Sequence, residues 1–208
     1  MKRFLFFLAA ILLFQCDRAF TGEIALSFDD GPHPEFTLRI LKSLKAHGAT
    51  ATFFVQGKNV ELYPAIIAAE HEAGCEIGNH TFNHPRLTGY GDAPTNRQIT
   101  NTQNAIFEVI GIRPKLFRPP FSAHDGFVDR IVKSCGLDMP PWTVSPEDYK
   151  CPPPKVIAER VLSAIVPGSI VVMHDTFPNT PDAVDLILNG LEERGLRSVT
   201  ISKMLGKK

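Results

Sequence analysis

Apolar and polar positions along this chain switch between two periods, and the switches mark the elements. Glu23 to Phe28, Thr50 to Val55 and Ser169 to Met173 are short runs rich in apolar, β-branched and aromatic residues, which predicts buried strands. Cys75 to Gly78, Lys115 to Phe117, Leu137 to Trp142 and Ser198 to Ile201 predict four shorter ones. Helical spacing runs through Leu38, Leu41 and Leu44 over Thr37 to His47 and stops at Gly48. Helices are likewise predicted over Val60 to Ala73, stopped by Gly74, and over Asn96 to Ile110, closed by Gly111. Three more are expected over Gly126 to Ser134, with Asp125 as N-cap, Lys155 to Ile165, and Ala183 to Arg194. Strands that mostly alternate with helices imply an α/β domain with a parallel sheet and helices outside it. There is no internal repeat or low-complexity tract, and Pro152-Pro153-Pro154 reads as a loop entering a helix.

The first residues follow a different pattern. Met1-Lys2-Arg3 precedes an unbroken apolar run from Phe4 to Phe14. A basic start and a run of this length read as a secretory signal, or as an uncleaved N-terminal anchor, over residues 1–21. A membrane span needs about 20 apolar residues, more than this run offers. Either reading sends residues 22–208, the expected catalytic domain, out of the cytoplasm: secreted, periplasmic or in the cell envelope.

Composition narrows the classes. Of 208 residues, 44% are hydrophobic and 21% charged, which excludes intrinsic disorder. Lys plus Arg and Asp plus Glu both number 22, so the basic excess of a nucleic-acid binder is missing. Beyond the leader stand Cys75, Cys135 and Cys151. Cys135 and Cys151 could close a short disulfide loop in an oxidising compartment, while Cys75 is expected to be buried and inert. No C-x-x-C signals a thiolate metal site. Oligomeric state leaves no mark in the sequence.

The polar residues that matter gather where strands end. Asp29 and Asp30 follow the first predicted strand, Asn79 and His80 the third, Arg118 the fourth, and His174 the sixth, with Asp148 in a loop after the fifth. In a parallel α/β barrel these ends open on one face, so motifs far apart in sequence converge there. His80-Thr81-Phe82-Asn83-His84 is H-x3-H, and on a helical turn both imidazoles would face one ion. Alone this is a weak signal among seven His, but a carboxylate from Asp29-Asp30 completes a two-His, one-acid set with open positions. One Asp would bind the ion and the other accept a proton from water. His174, oriented by a carboxylate such as Asp148, could protonate a leaving group. Arg118, before Pro119-Pro120, is expected to point inward against a carboxylate.

These residues carry a resemblance. Ser27 to Pro32, Asn79 to Pro85, Arg118 to Phe121, Trp142 to Tyr149 and Ile170 to His174 resemble, in order, the five motifs of the polysaccharide deacetylases, carbohydrate esterase family 4. The resemblance spans about residues 22–203 and implies a distorted (β/α)7 barrel, in keeping with seven predicted strands. It implies Asp29 as general base, with Arg118 positioning it, and His174 as general acid, tuned by Asp148. It implies Asp30, His80 and His84 as ligands of a divalent metal, usually Zn2+, with Co2+ or another ion possible. The backbone N–H of Phe121 would hold the oxyanion, Tyr149 and Val172 would line the acetyl pocket, and Thr81 would brace the metal loop.

Several positions depart from the family pattern. Ser27 stands for a common Thr, Ser122 for a common Gly, Ser145 and Tyr149 for Asp and Trp, and Val172 for Leu. The proposed base, acid and ligands are all kept, so the departures bear on substrate preference more than on activity. The implied reaction removes N-acetyl groups from an N-acetylglucosamine glycan, chitin or chitooligosaccharide or peptidoglycan, releasing acetate. Two other readings stand beside it: an O-deacetylase of the acetylxylan esterase kind, and a catalytically weak metal-containing carbohydrate-binding protein.

Overall fold

The computed structural model describes residues 20–206, so the signal or anchor expected over residues 1–21 lies outside the described residues except for Phe20 and Thr21. Thr21 N–H donates to the Gly195 carbonyl at 2.7 Å, so the described chain joins the fold from its first residues. Strand β1 (Gly22–Asp29) lies between β2 (Thr52–Val55) and β4 (Ile170–His174), with β3 (Glu76–Asn79) outside β2. All these pairs are parallel, and β5 (Leu196–Ser198) pairs with the start of β1. Beyond β3 the sheet continues only as single bridges, Asn79 to Phe117 and Leu116 to Asp138, and Val144 bridges Val171 of β4. The architecture is thus the expected α/β barrel type in a distorted form.

Eight helices surround it among the described residues: α1 (Phe36–Ala46), α2 (Gly57–Leu62), α3 (Pro64–Glu72), α4 (Asp92–Ile110), α5 (Gly126–Ser134), α6 (Pro154–Ala164), α7 (Thr180–Glu193) and α8 (Ile201–Met204). The sequence predicts one helix over Val60 to Ala73; two form, because Pro64 lacks an N–H and forces Tyr63 out of helical geometry, to φ −131°. Helix α4 begins at Asp92, earlier than expected, since Pro94 is tolerated in a first turn. Gly111 closes it in the left-handed conformation and Asp125 caps α5, both as predicted.

Two predicted strands are reduced. Lys115 to Phe117 and Leu137 to Trp142 make only isolated bridges, because Pro114, Pro119, Pro140 and Pro141 cannot donate to a ladder. The last strand runs over Leu196–Ser198 rather than Ser198 to Ile201, since Thr200 accepts from Lys203 N–H and starts α8. Among the described residues no disulfide forms: Cys75, Cys135 and Cys151 are all free. Cys135 ends α5 beside Asn96 of α4, whereas Cys151 neighbours Asn179 ahead of α7, so the two lie in different surroundings. Cys75 is buried as expected, and burial pushes its thiol up to about 12. Among the described residues no helix is long and apolar enough to cross a membrane.

Strand alternation sorts the core into two sides. Ile24, Leu26 and Phe28 of β1 pack with Phe53, Val55, Val171 and Met173 against the helices. Ala25 joins Phe54, Leu116 and Ile170 on the other side, inside the curve of the sheet. Ser27 and Asp29 share that inner face with Ala25, so the strand ends by aiming a carboxylate inward.

Candidate active site

The ends of β1, β3 and β4 open on a cleft of about 530 Å³ lined by Asp29, Asp30, His80, His84, Phe121, Tyr149, Val172 and His174. These are eight of the ten sequence-predicted site residues; the other two are buried behind the wall, Arg118 against Asp29 and Asp148 against His174.

Arg118 is buried, and its Nη1 donates to Asp29 Oδ1 at 2.6 Å and to Ser27 Oγ at 2.9 Å. The guanidinium stacks 4.0 Å from the centre of the Phe54 ring. That ring lies over Gly78, where a Cβ would come within 2.5 Å of it. A glycine in β3 therefore makes room for the ring that carries the arginine that holds Asp29.

Asp30 leaves the strand with φ 78°, so its carboxylate turns away from that of Asp29 and towards the histidines. Its Oδ1 lies 3.4 Å from His80 Nε2 and 3.1 Å from His84 Nε2. His80 Nδ1 is 2.7 Å from the Arg118 carbonyl, which can only accept, so Nδ1 carries a proton. In the neutral ring Nε2 then presents a lone pair to a carboxylate, an arrangement that a cation between them satisfies. The donor atoms of Asp30, His80 and His84 all lie within 4.8 Å of one another, so these residues fit a divalent ion. Burial acts to raise the Asp30 carboxyl, but the His80 hydrogen bond and the charges of His80, His84 and His174 outweigh it and hold it well below the usual range. Burial and the neighbouring His80 lower the His84 imidazole.

The H-x3-H segment is not the helical turn expected from its spacing. Residues 80–85 form an irregular loop in which Thr81 (φ 67°) and His84 (φ 59°) are left-handed. Pro85 disfavours helix at His84, and side chains supply the missing backbone partners. Asn79 Oδ1 accepts from Thr81 N–H at 2.9 Å, and Thr81 Oγ1 from His84 N–H at 3.1 Å. Gln98 of α4 accepts from both Phe82 and Asn83 N–H. Thr81 thus sits where the resemblance puts it, while the contributions of Asn79 and Gln98 were not foreseen; nothing in the sequence pairs Gln98 with this loop.

Across the cleft, His174 Nδ1 lies 2.9 Å from Asp148 Oδ1, and its backbone N–H donates to Asp148 Oδ2 at 2.7 Å. Thr180 Oγ1 also donates to Oδ2, at 2.9 Å, so the buried carboxylate is fixed from β4 and α7 together. Burial works to lower the His174 imidazole, but the hydrogen bond and charge of Asp148, with Asp29 and Asp30 beyond, raise it to about 9.

The walls are aromatic. Tyr149 stands edge-on to His174 at 5.9 Å, and Phe177, unforeseen, does so at 5.5 Å. Phe121 is left-handed (φ 60°) and meets the His84 ring at 4.6 Å. Ser122, where the family often has Gly, is left-handed too (φ 51°), and its Oγ accepts from Trp142 Nε1 at 3.1 Å. Val172 closes the floor, buried.

Known proteins share this framework. The sequence profile of the polysaccharide deacetylases matches residues 19–140. The peptidoglycan-N-acetylmuramic acid deacetylase PdaC of Bacillus subtilis is 39% identical over 181 residues, covering 87% of this chain and 38% of that protein. The chain thus spans well under half the length of that relative, but it covers 85% of the chitooligosaccharide deacetylase of Azorhizobium caulinodans, which is 33% identical over 184 residues. The solved structure of PdaC superposes with a TM-score of 0.85 at 37% identity, covering 91% of this chain and 92% of that one. The family 4 carbohydrate esterase from Streptomyces lividans, solved in complex with acetate, gives 0.82 at 33% identity over 86% of this chain and 93% of that one. The profile takes in more than half of the sequence and the solved folds nearly all of it, and so the chain belongs to the polysaccharide deacetylase family.

Proposed function

We propose that the protein is a divalent-metal-dependent hydrolase that removes acetyl groups from N-acetylglucosamine units of a glycan, peptidoglycan or chitooligosaccharide. One observation carries this reading: Asp29 and His174 flank the Asp30–His80–His84 triad in one cleft, each held by its own buried partner. Relatives named for peptidoglycan and for chitooligosaccharides support the substrate class. The basic-then-apolar N-terminus supports an exported protein with residues 22–208 as its catalytic domain.

Asp30, His80 and His84 would hold the cation, zinc by the chemistry of the donor set. When bound, it supplies Lewis acidity to water and to the acetyl carbonyl. Arg118 occupies one oxygen of Asp29, and the other takes the proton from the attacking water. The Phe121 N–H donates to the oxygen that gains charge as water adds to the carbonyl. His174, whose Nδ1 faces Asp148, gives its Nε2 proton to the amide nitrogen as the C–N bond breaks. The products are acetate and a free amine, with Tyr149 and Val172 against the acetyl methyl.

The test is acetate release from chitooligosaccharides, peptidoglycan and acetylxylan, with and without chelator. Chelator-sensitive release from an N-acetylated substrate is expected. Release from acetylxylan alone would make the protein an O-deacetylase, and no release with zinc bound would favour a binding role.

A further inference from the structure

The first turn of α2 holds both halves of the metal-binding set. Gln56 N–H donates to the Gly31 carbonyl at 3.0 Å, Gly57 N–H to Thr81 O at 3.0 Å, and Lys58 N–H to Phe82 O at 3.1 Å. Asn59 Nδ2 adds a bond to the Asp30 carbonyl at 2.9 Å. The turn carrying Asp30 and the loop carrying His80 and His84 are thus tied to one short stretch of backbone. At Gly57 a Cβ would come within 2.4 Å of the Phe82 ring, so the loop is seated directly on this turn.

Gln56 stands at the N-cap position of α2 but makes no side-chain cap bond. Its Nε2 donates instead to Asp30 Oδ1 at 2.9 Å, the oxygen nearest both histidines. The residue is 6% exposed, and its buried Oε1 has no hydrogen-bond partner among the described residues. An apolar side chain would fill the same space without that orphaned acceptor, so the amide is there for what its N–H does. The direction of that bond is fixed, because an ionised carboxylate only accepts. Asp30 has a left-handed backbone, and among the described residues Gln56 is the one side-chain amide on its carboxylate.

We infer that Gln56 is a positioning residue for the metal: its amide aims the Asp30 carboxylate at the point shared with His80 and His84. The inference rests on the proposed ligand set and extends it to a residue outside the five motifs. Partners of this kind typically govern 10–100-fold in metal affinity.

The experiment measures zinc affinity of the full chain by competition with a chromogenic chelator, for wild type, Gln56→Met, Gln56→Asn and His84→Ala. Gln56→Met keeps length and packing but has no donor. Gln56→Asn keeps the amide and draws it back by one methylene. Both are expected to bind zinc about 10–100-fold more weakly, with urea midpoints of the zinc-free proteins close to wild type. Wild-type affinity in the folded Gln56 variants, with binding lost in His84→Ala, overturns the role of Gln56 alone. Wild-type affinity in His84→Ala as well overturns the ligand set itself.

Discussion

Asp29 and His174 are register partners on adjacent parallel strands, opposite one another in the ladder of β1 and β4. Partners in a parallel pair point to the same side, so the backbone itself sets the carboxylate and the imidazole on facing edges of one cleft. Arg118 then holds the first at 2.6 Å and Asp148 the second at 2.9 Å.

The His174–Asp148 pair fixes an alkaline limit. Without a bound cation, His174 is expected to titrate at about 9 by NMR, against an ordinary value of 6.5. Its raised value stabilises the fold fully below about 6.5, and that contribution is lost as pH rises through about 9. Asp148→Asn should move the titration and the alkaline limb of kcat/KM to lower pH. Zinc beside Asp30 should also lower the His174 value, since it sets a positive charge where the unscreened carboxylate now acts. A limb unmoved in Asp148→Asn would count against the pairing.

Base and ligands are expected to separate by assay. Asp29→Asn should keep zinc at wild-type stoichiometry and lower turnover by at least about 10²-fold. His80→Ala should lose the zinc. Full activity in Asp29→Asn would remove it from the role of base.

Arg118 faces a buried carboxylate, and among the described residues its Nε and Nη2 have no hydrogen-bond partner. Arg118→Met should therefore destabilise the protein by about 3–5 kcal/mol in urea unfolding, leaving Asp29 buried and unpaired. Adding Asp29→Asn to it should recover much of that loss. A double variant as unstable as the sum of the singles would contradict the pairing.

Gly31 shows a similar coupling behind the cleft. A Cβ there would lie 2.1 Å from Asp175 Oδ2, an oxygen that also accepts from Thr37 Oγ1 at 2.5 Å. Burial raises the Asp175 carboxyl to about 7, so the group is poorly solvated and cannot swing away cheaply. Gly31→Ala should cost about 1–3 kcal/mol, and less than that when Asp175→Ala has already removed the carboxylate. Additive costs in the double variant would show that the two do not touch.

The cysteines should react separately. Cys151 is exposed and is expected to be labelled in the native protein, whereas Cys75, pushed up to about 12 by burial, should react only on unfolding. A native protein with no reactive thiol would argue for a cross-link.

Much of this was legible in the sequence because it is local. Apolar runs mark β1, β2 and β4, and the acids after the run of β1 and the histidine after that of β4 mark the cleft face. A candidate metal set of two histidines and one acid of Asp29–Asp30 is legible by residue type and spacing, and the family resemblance singles out Asp30, but the geometry is not legible. His80 and His84 converge through left-handed backbone and a brace from Gln98, whereas spacing alone suggested a helical turn. Gln56 also stands just beyond a strand, but an amide is neither a metal ligand nor an acid or base of the expected kind, so residue type did not single it out. The weak strands near residues 116 and 138 were overstated, since their apolar residues are buried by packing while their prolines prevent a ladder.

β1 is bonded to three other strands, whereas the segments bearing Phe121, Trp142 and Tyr149 lie outside every regular strand. Amide hydrogen exchange should accordingly be slowest in β1, near the limit set by global unfolding, and faster along the aromatic rim. Mild denaturant would then loosen the Phe121 N–H and the Asp148 brace on His174 while Asp29 and His174 stay in register, so kcat should fall before the sheet unfolds. The two proton-transfer groups and the groups that tune them are housed in parts of the molecule with different lifetimes.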